Sequence, residues 1–425
     1  MGRLFMKIKQ LITTSILLSF ILSLCGCRIN SANFDPYTED FLFEYDHQQN
    51  LNTSLAGFQL GIAQSEKGYY FANDCYLYYT DKEEMKPVVV CNKPNCLHNM
   101  ETDPAKKAEC NAYVEEGIYN LMYYDQHLYF IATVRPEPQK VVYYLRKLAL
   151  DGTFIEDVYQ FPAWPASLIM HRGYIYYSYG DYDPQEMGGV YTSFRLARAS
   201  LSDKKEEVLY TNESLSPYVN TIMAAGKYVY FDSTGYTVTG DQFDPTTGDG
   251  MVSEYYCFDT KTKSLTEMDG MEGANPSIPV ITADSLIRRF WFFNYEDERN
   301  RVLYRSNLEG QGLEEVFTVD PTTFNLFWDG TYFYVDNWPM IVNAQKENIT
   351  RTIQVYTSDF EPVTSFDFTN VDGEDLSQTM TSSFKMSDDI IFTVERGSNY
   401  PADSFYYIDK REIASGKVSA HKVTF

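Results

Sequence analysis

The stretch RGYIYYSY, residues 172–179, places aromatic and β-branched residues directly after a short polar turn. Short runs of this composition that follow a turn are typical of β-strands. The pattern recurs, so that seven copies can be recognised, and successive copies begin 42 to 61 residues apart. The other copies are KGYYFAND (67–74), DQHLYFIA (125–132), GKYVYFDS (226–233), IRRFWFFN (287–294), DGTYFYVD (329–336) and SDDIIFTV (387–394).

Further short apolar runs accompany each aromatic run. One precedes it, as in NLMYY (120–124), and two follow it, as in VVYYLRKLALDG (141–152) and EEVLYT (206–211). Four strand-like segments that repeat at this period, with almost no helical periodicity between them, are typical of a β-propeller. The sequence therefore predicts an all-β fold, a seven-bladed β-propeller of four-stranded antiparallel blades.

Three details of this propeller can be predicted. The aromatic run of each copy should be a buried inner strand, because large rings fill the space between blades. Residues 382–425 contain segments for all four strands of the last blade, so we expect no strand to be exchanged between the chain ends. The blade boundaries should fall near residues 115, 165, 215, 275, 322 and 380.

The G-Y-h-Y-Y runs and the stretch CNKPNCLH (91–98) resemble those of bacterial extracytoplasmic propeller lipoproteins, which are loosely similar to the TolB-type and YWTD-type propellers. The resemblance covers roughly residues 56–425. It implies a propeller fold and does not imply a particular activity.

The N-terminus has the features of a secretory signal. A basic segment precedes an apolar run, residues 11–24, that is short for a membrane span. The run ends in LCGC (24–27), which resembles the bacterial lipobox. This resemblance implies cleavage before Cys27, whose thiol then carries a diacylglycerol, with palmitate as an acyl chain of the anchor. Cys25 fits less well, because the large Leu24 precedes it. We therefore predict a lipoprotein on the extracytoplasmic side of the cell membrane, with a signal peptide (1–26), a lipidated cysteine and tether (27–55) and a propeller (56–425).

The charge of the chain argues against polyanionic partners. The whole sequence has 35 Lys and Arg against 59 Asp and Glu, and residues 1–26 contain three of the basic residues and none of the acidic ones. Such an acidic surface repels nucleic acid and anionic headgroups. We expect no nucleic-acid partner, and contact with the lipid bilayer only through the acylated Cys27.

Long loops between the second and third strands of several blades predict a binding face, because loops on a rigid scaffold commonly carry recognition residues. Exposed rings and acids there are suited to a peptide, a protein or a glycan, although Asp, Gly and Pro in such loops also build turns. The candidate residues are Trp164, Asp181, Tyr182, Asp183, Asp241, Asp244 and Trp338.

No catalytic signature accompanies these loops. The sequence contains no G-x-S-x-G, H-E-x-x-H, P-loop or G-x-G-x-x-G motif. His127 and His171 fall at tight turns, where we expect solvated side chains. The favoured function is non-catalytic binding through the long-loop face, and the alternative is a polysaccharide-active enzyme, a lyase or hydrolase with its site in the propeller funnel.

Residues 91–110 hold three of the seven cysteines and one of the five histidines. Two interpretations remain open. Cys91, Cys96, His98 and Cys110 can form a closed structural zinc site with a Cys3His ligand set. In an exported protein, disulfides Cys75–Cys91 and Cys96–Cys110 can equally fasten the same loop.

Overall fold

The computed structural model contains seven antiparallel sheets within its described residues, six with four strands and one with five. Each sheet is a blade of a β-propeller, and all of them belong to one compact unit, Asp40–Phe425; of the other unit, Met1–Glu39, only Tyr37 is described. The structure describes residues 37, 43–46, 61–73, 75–183, 190–236, 250–292, 297–320, 322–337, 352–367, 380–386, 389–395, 404–416 and 418–425.

The first three blades contain twelve strands. Blade 1 consists of β1 (Ile62–Gln64), β2 (Gly68–Asn73), β3 (Tyr76–Asp81) and β4 (Val88–Val89). Blade 2 consists of β5 (Tyr119–Tyr124), β6 (His127–Glu137), β7 (Lys140–Leu148) and β8 (Phe154–Phe161). Blade 3 consists of β9 (Ser167–His171), β10 (Tyr174–Asp183), β11 (Val190–Ser200) and β12 (Glu206–Asn212).

The remaining strands form four more blades in chain order. Blade 4 consists of β13 (Leu215–Ala225), β14 (Tyr228–Tyr236), β15 (Met251–Asp259) and β16 (Ser264–Glu267). Blade 5 consists of β17 (Ala274–Pro276), β18 (Val280–Ile281), β19 (Leu286–Phe292), β20 (Val302–Ser306) and β21 (Glu314–Thr318). Blade 6 consists of β22 (Thr323–Trp328), β23 (Phe333–Asn337), β24 (Thr352–Tyr356) and β25 (Pro362–Asp367), and blade 7 of β26 (Met380–Met386), β27 (Ile390–Glu395), β28 (Ser404–Asp409) and β29 (Ala420–Thr424).

The described helices are short. Two are α-helical, α1 (Phe43–Asp46) and α2 (Pro104–Lys107). Three are 3-10 helices, η1 (His98–Met100), η2 (Glu298–Arg301) and η3 (Lys410–Ser415). Within the described part of the chain, no helix combines the length and the hydropathy that crossing a bilayer requires.

The predicted all-β propeller with four-stranded antiparallel blades is confirmed for six sheets, and the prediction is wrong for blade 5. There the innermost strand is divided, so that β17 and β18 both pair with β19. Pro276 and Pro279 lie at this division, and proline has no N–H to donate to a strand ladder.

The aromatic runs are inner strands, as predicted. Each of β2, β6, β10, β14, β19, β23 and β27 is paired on both sides. In β2 all six side chains are buried. The predicted boundaries lie within two residues of the connections between blades, and all four strands of blade 7 come from Met380–Thr424.

Rings and aliphatic side chains between neighbouring blades form the core. One cluster joins blades 2 and 3, and another joins blades 3 and 4. The ring of blades closes in the same way, because Phe425 lies edge-on to Phe71 and Tyr78, with centroids 5.6 and 4.8 Å apart. Side-chain packing, supplemented by a Lys82–Asp389 ion pair at 2.7 Å, therefore connects the last blade to the first.

The segment α1, part of the predicted tether, contacts the propeller at blades 2 and 3. The Asp46 carboxylate accepts two hydrogen bonds from the Arg172 guanidinium, at 2.6 and 2.9 Å, and both side chains are buried. The Tyr45 hydroxyl donates to Asp125 at 3.1 Å, and its ring lies edge-on to Tyr124. This arrangement is called the Asp46 clasp below.

The prediction of a solvated His171 is wrong. Its side chain is 1% exposed, because α1 covers the turn on which it lies. Its Nε2 lies 2.6 Å from the Gly226 carbonyl, and its Nδ1 lies 3.7 Å from Asp46. His127, at the equivalent turn of blade 2, is half-buried and lies 2.5 Å from the Asp125 carbonyl.

Candidate functional site

The connection from blade 1 to blade 2, residues 90–118, carries the cysteine cluster. Cys91 lies two residues after the end of β4. A turn brings Cys96 back, with its N–H donating to the Lys93 carbonyl at 3.4 Å. His98 begins η1, and Cys110 follows α2, whose first turn is capped by the Asp103 carboxylate. Short helical turns thus return the chain to its starting point within twenty residues.

The four candidate ligands meet at one point. The three sulfur atoms and a ring nitrogen of His98 all lie within 4.8 Å of one another. The Cys110 sulfur lies 3.8 Å from His98 Nδ1. Cys110 is buried and the other three are half-buried, so the cluster lies at the edge of the hydrophobic core. This Cys/His cluster could hold a metal ion.

Two of the thiols have pKa values that shift in opposite directions. Burial raises the pKa of Cys91, but hydrogen bonds from the backbone N–H groups of Lys93 and Asn111, together with those from the two neighbouring thiols, lower it by more. Cys110 is more deeply buried, and burial raises its pKa to about 12. Cys91 is therefore the more easily ionised of the two.

Blade 1 holds the histidine in place through its backbone. His98 adopts a positive φ of 52°, a conformation that is costly for a residue with a side chain. Its carbonyl accepts a hydrogen bond from the Tyr76 hydroxyl at 3.0 Å, and the next residue, Asn99, donates to the Tyr78 hydroxyl at 3.4 Å. These contacts fix the backbone from which the imidazole reaches the sulfur atoms.

Blade 2 supports the other side of the loop. Asn92 donates to the Asp151 carboxylate at 2.8 Å and accepts from the Asn111 amide at 3.0 Å. Gly152 lies so close that a Cβ atom there would be 2.5 Å from the Val90 carbonyl oxygen. The loop is therefore packed against two blades as well as closed upon itself.

The other two described cysteines lie apart from the cluster. The Cys75 thiol contacts the Glu115 carbonyl at 3.6 Å, and Cys257 is buried in blade 4, where burial raises its pKa to about 12. None of the five described cysteines forms a disulfide in this structure. Cys75 adjoins the loop, since its carbonyl accepts from Val114 N–H at 2.8 Å, but it is not one of the four converging groups.

Trp164 lies in an aromatic group at the junction of blades 2 and 3. Its ring is edge-on to Tyr119 and Tyr143, with centroids 5.5 and 5.2 Å away. Trp164 and Tyr119 are both exposed. The predicted exposed tryptophan therefore has aromatic neighbours, although no predicted acid is among the contacts described for it.

Asp181 and Tyr182 lie near the C-terminal end of β10. Asp181 forms an ion pair with Arg195 at 2.7 Å, and the hydrogen bond from that guanidinium lowers its pKa. Tyr182 is exposed and lies edge-on to Tyr191, with centroids 5.6 Å apart. A chain of rings continues from there through Phe194 to an exposed Tyr218, none of which the sequence analysis singled out. Tyr182, Tyr191 and Tyr218 are called the tyrosine patch below.

Several predicted residues lie outside the described part of the structure. These are Cys27, Asp241, Asp244, Trp338 and the side chain of Asp183. The described residues nevertheless include a cavity that was not predicted, about 760 Å³ in volume between blades 5 and 6, with Trp328, Arg305 and Asp284 in its lining.

The comparisons with known proteins support the fold. No protein-family model and no curated protein matches the chain. A prolyl endopeptidase structure is similar over 90% of this chain and 50% of its own, with 13% identity and a TM-score of 0.52. An oligogalacturonate lyase from Vibrio parahaemolyticus matches over 83% of this chain and 85% of its own (12% identity, TM-score 0.47), and the β-propeller domain of the Trilobed protease from Pyrococcus furiosus over 71% and 83% (10% identity, TM-score 0.43). At these identities the likeness concerns the propeller fold alone.

Proposed function

We propose that this protein is a membrane-anchored extracytoplasmic lipoprotein whose propeller binds a peptide, protein or glycan without catalysis. The lipobox-like LCGC (24–27) supports the anchor, and Cys27 is its lipidation site. The acidic composition is consistent with a body that is held at the bilayer by its lipid and does not adhere to anionic headgroups.

The tyrosine patch is the observation that carries the binding role. Tyr182, Tyr191 and Tyr218 are each more than a third exposed, although rings of this size are normally buried in a propeller. Tyr191 and Tyr218 pack against the buried Phe194, and Tyr182 packs against Tyr191. Gly180 leaves room for Tyr191 and Phe194, because a Cβ there would lie 2.4 Å from Tyr191 and 2.7 Å from Phe194. Rigid exposed rings beside a polar ion pair can stack on sugar faces or on peptide side chains.

The Cys/His cluster is proposed as a structural zinc site that supports this scaffold. Three sulfurs and one imidazole are the donor set that zinc prefers, and a tetrahedral site with Zn–S bonds of about 2.3 Å needs sulfurs roughly 3.7 Å apart. The observed upper limit of 4.8 Å requires only a small contraction. Four protein ligands leave no open position, so the ion would close the loop and have no catalytic role.

An array experiment tests the binding role. The soluble body, residues 28–425 with α1 retained, is applied to glycan and peptide arrays, and hits are quantified by calorimetry. Tyr182→Ala combined with Tyr191→Ala should weaken binding at least tenfold, whereas Phe154→Ala, an exposed ring on the outer strand β8, should leave it unchanged. Binding that survives the double change would contradict the role of the patch, and cleavage of a bound polysaccharide would favour the alternative, a lyase or hydrolase.

Fractionation of cells tests the anchor. Cys27→Ala should move the protein from the membrane fraction to the soluble fraction, because the acyl chains attached to that thiol hold it at the bilayer. Cys25→Ala is the matched control and should leave the protein in the membrane fraction. Membrane retention of the Cys27→Ala protein would overturn the lipoprotein assignment.

A further inference from the structure

A second cavity lies between blades 4 and 5 and has a volume of about 310 Å³. Its walls are the first half of β15, the connection after β16, and β17. Polar groups from both blades line it, among them Ser253, Tyr255, Asn275 and Arg288. The volume is at the lower end of the range for small-molecule sites and suits a ligand of about one sugar ring or one amino-acid residue.

Arg288 is the unusual member of this lining. Its side chain is almost completely buried, at 1% exposed. Its Nη1 donates to the backbone carbonyl oxygens of Asp269 and Gly310, and the guanidinium carbon lies 5.0 Å from the centroid of the Phe290 ring. Among the described residues, no hydrogen-bond acceptor serves its buried Nε. A buried guanidinium N–H without an acceptor is costly, and native structures normally supply one.

Two other buried arginines show how such a group is ordinarily satisfied. Arg172 directs Nε and Nη2 at the Asp46 carboxylate. Arg289, the next residue on β19, donates from Nε to the Asn300 carbonyl and from Nη1 to the Thr323 carbonyl, at 2.7 and 2.6 Å. Of the three, Arg288 alone has an Nε without an acceptor, and it is the one that lines a cavity.

The groups around the cavity that can carry a charge are Arg288 and several acids. Tyr255 is buried, and burial raises the pKa of its hydroxyl well above the usual value, so it is a neutral donor. The Asp269 carboxylate, which faces Arg288, is already engaged by the Gly312 N–H at 2.7 Å, and Glu254 accepts from the Tyr256 hydroxyl at 2.7 Å. Glu267 also belongs to the lining. Glu254 and Glu267 therefore belong to the lining itself, and Arg288 is the one basic residue in it.

We infer that the cavity between blades 4 and 5 binds the carboxylate group of a small ligand, with the Arg288 guanidinium as the charged donor and Tyr255, Asn275 and Ser253 as neutral partners. A carboxylate oxygen is a strong acceptor for a guanidinium N–H, and the low polarity of a buried site strengthens the interaction. The site lies apart from the tyrosine patch and the cysteine cluster, so the inference goes beyond the proposed binding role and does not depend on it.

Matched pairs of probes test the inference and separate a sugar acid from a peptide terminus. Calorimetry with the soluble body, residues 28–425, compares D-glucuronate with D-glucose, and N-acetylalanine with N-acetylalanine amide. We expect one of the two acids to bind at least tenfold more tightly than its neutral partner. Arg288→Gln should abolish that preference, and Arg305→Gln, a partly exposed arginine of the same blade, should preserve it.

A measurement on the unchanged protein covers the case in which Arg288→Gln does not fold. The Nε–H resonance of Arg288 should shift on addition of the preferred acid and should not shift with the neutral partner. Equal affinity for acids and neutral partners, an unchanged preference in a folded Arg288→Gln protein, or an unmoved Nε–H resonance at saturating acid would each overturn the inference.

Discussion

Two segments outside the blades, the loop 90–118 and the short helix α1, differ in the sequence separation of the residues that hold them on the propeller. The four converging side chains of the loop all come from one stretch of twenty residues, residues 91–110. The Asp46 clasp joins residues that are 126 positions apart in the chain. The difference teaches that the proposed metal cross-link would order only its own loop, whereas the Asp46 clasp requires the folded turn of blade 3 that carries Arg172.

The energetics of the two segments differ for the same reason. A metal or a disulfide closes a loop whose ends are already held by strands, so it mainly fixes the loop itself. A buried carboxylate–guanidinium pair is sensitive to the loss of either partner, because the remaining charge has no counter-ion and little water. The predictions below follow this contrast, from the largest expected effect to the smallest.

Loss of one ligand of the proposed zinc site should have the largest effect. Cys110→Ser should eliminate zinc binding and expose residues 91–114 to hydrogen exchange, with a local protection loss of several kcal/mol, since structural zinc binding supplies about 10 kcal/mol or more in small zinc domains. The control is Cys75→Ser, which changes a thiol beside the loop but outside the cluster. Equal protection in both proteins would show that the cluster does not order the loop.

Breaking the clasp should cost about 3–5 kcal/mol at most, the usual penalty for leaving one member of a buried ion pair alone. Asp46→Asn is the test, with the free energy of unfolding measured in denaturant and exchange followed at residues 43–46. The double change Asp46→Leu with Arg172→Met removes both charges and should recover much of the loss. A single change that costs less than about 0.5 kcal/mol, the level of an exposed pair, would contradict the burial described here.

The clasp should also make stability depend on pH through His171. Burial lowers the pKa of this imidazole from 6.5 to about 4, although the Gly226 carbonyl and Asp46 oppose the shift. The unfolded chain therefore binds the proton more readily, so the stabilisation is complete above about pH 6.5 and is lost as the pH falls toward 4. Wild-type protein should lose on the order of 2 kcal/mol over this window, and His171→Gln should flatten the slope; an unchanged slope would refute this assignment.

The packing of the loop against blade 2 should give the smallest effect. It is measured as the difference between the free-energy costs of Gly152→Ala and Gly173→Ala. Gly152 and Gly173 have nearly the same positive φ, 82° and 84°, but an added Cβ meets the Val90 carbonyl at Gly152 and nothing within 4 Å at Gly173. Gly173→Ala should cost about 1 kcal/mol for the backbone conformation alone, and Gly152→Ala about 1–2 kcal/mol more. Equal melting temperatures would show that the loop is not packed on that turn.

Local pattern was sufficient to predict most of the fold. Period, alternation and turn residues predicted the inner aromatic strands, their boundaries and the self-contained last blade, because each depends on residues close in sequence. Blade 5 departed from prediction at Pro276 and Pro279. The repeat period alone does not take account of the N–H groups that these prolines lack. In the cysteine loop, spacing predicted which groups converge, since the segment that carries them is short.

Long-range partners were not accessible in the same way. Nothing near Arg172 or His171 in the sequence points to Asp46, so a buried turn was interpreted as a solvated one. The tyrosine patch combines β10, β11 and β13, and only Tyr182 belonged to a loop-adjacent motif. The signal for Arg288 was visible as two consecutive arginines in an apolar strand, a composition that is costly unless each guanidinium finds a partner.

The metal content of the purified protein tests the central claim, that a local metal cross-link orders loop 90–118 on a rigid propeller. The measurement combines elemental analysis with a thiol count under denaturing conditions, on the soluble body, residues 28–425, which lacks Cys25 and Cys27. The account predicts about one zinc per chain and free thiols at all five remaining cysteines, Cys75, Cys91, Cys96, Cys110 and Cys257. Protein without metal and with a single free thiol would contradict it and would favour the alternative, disulfides Cys75–Cys91 and Cys96–Cys110.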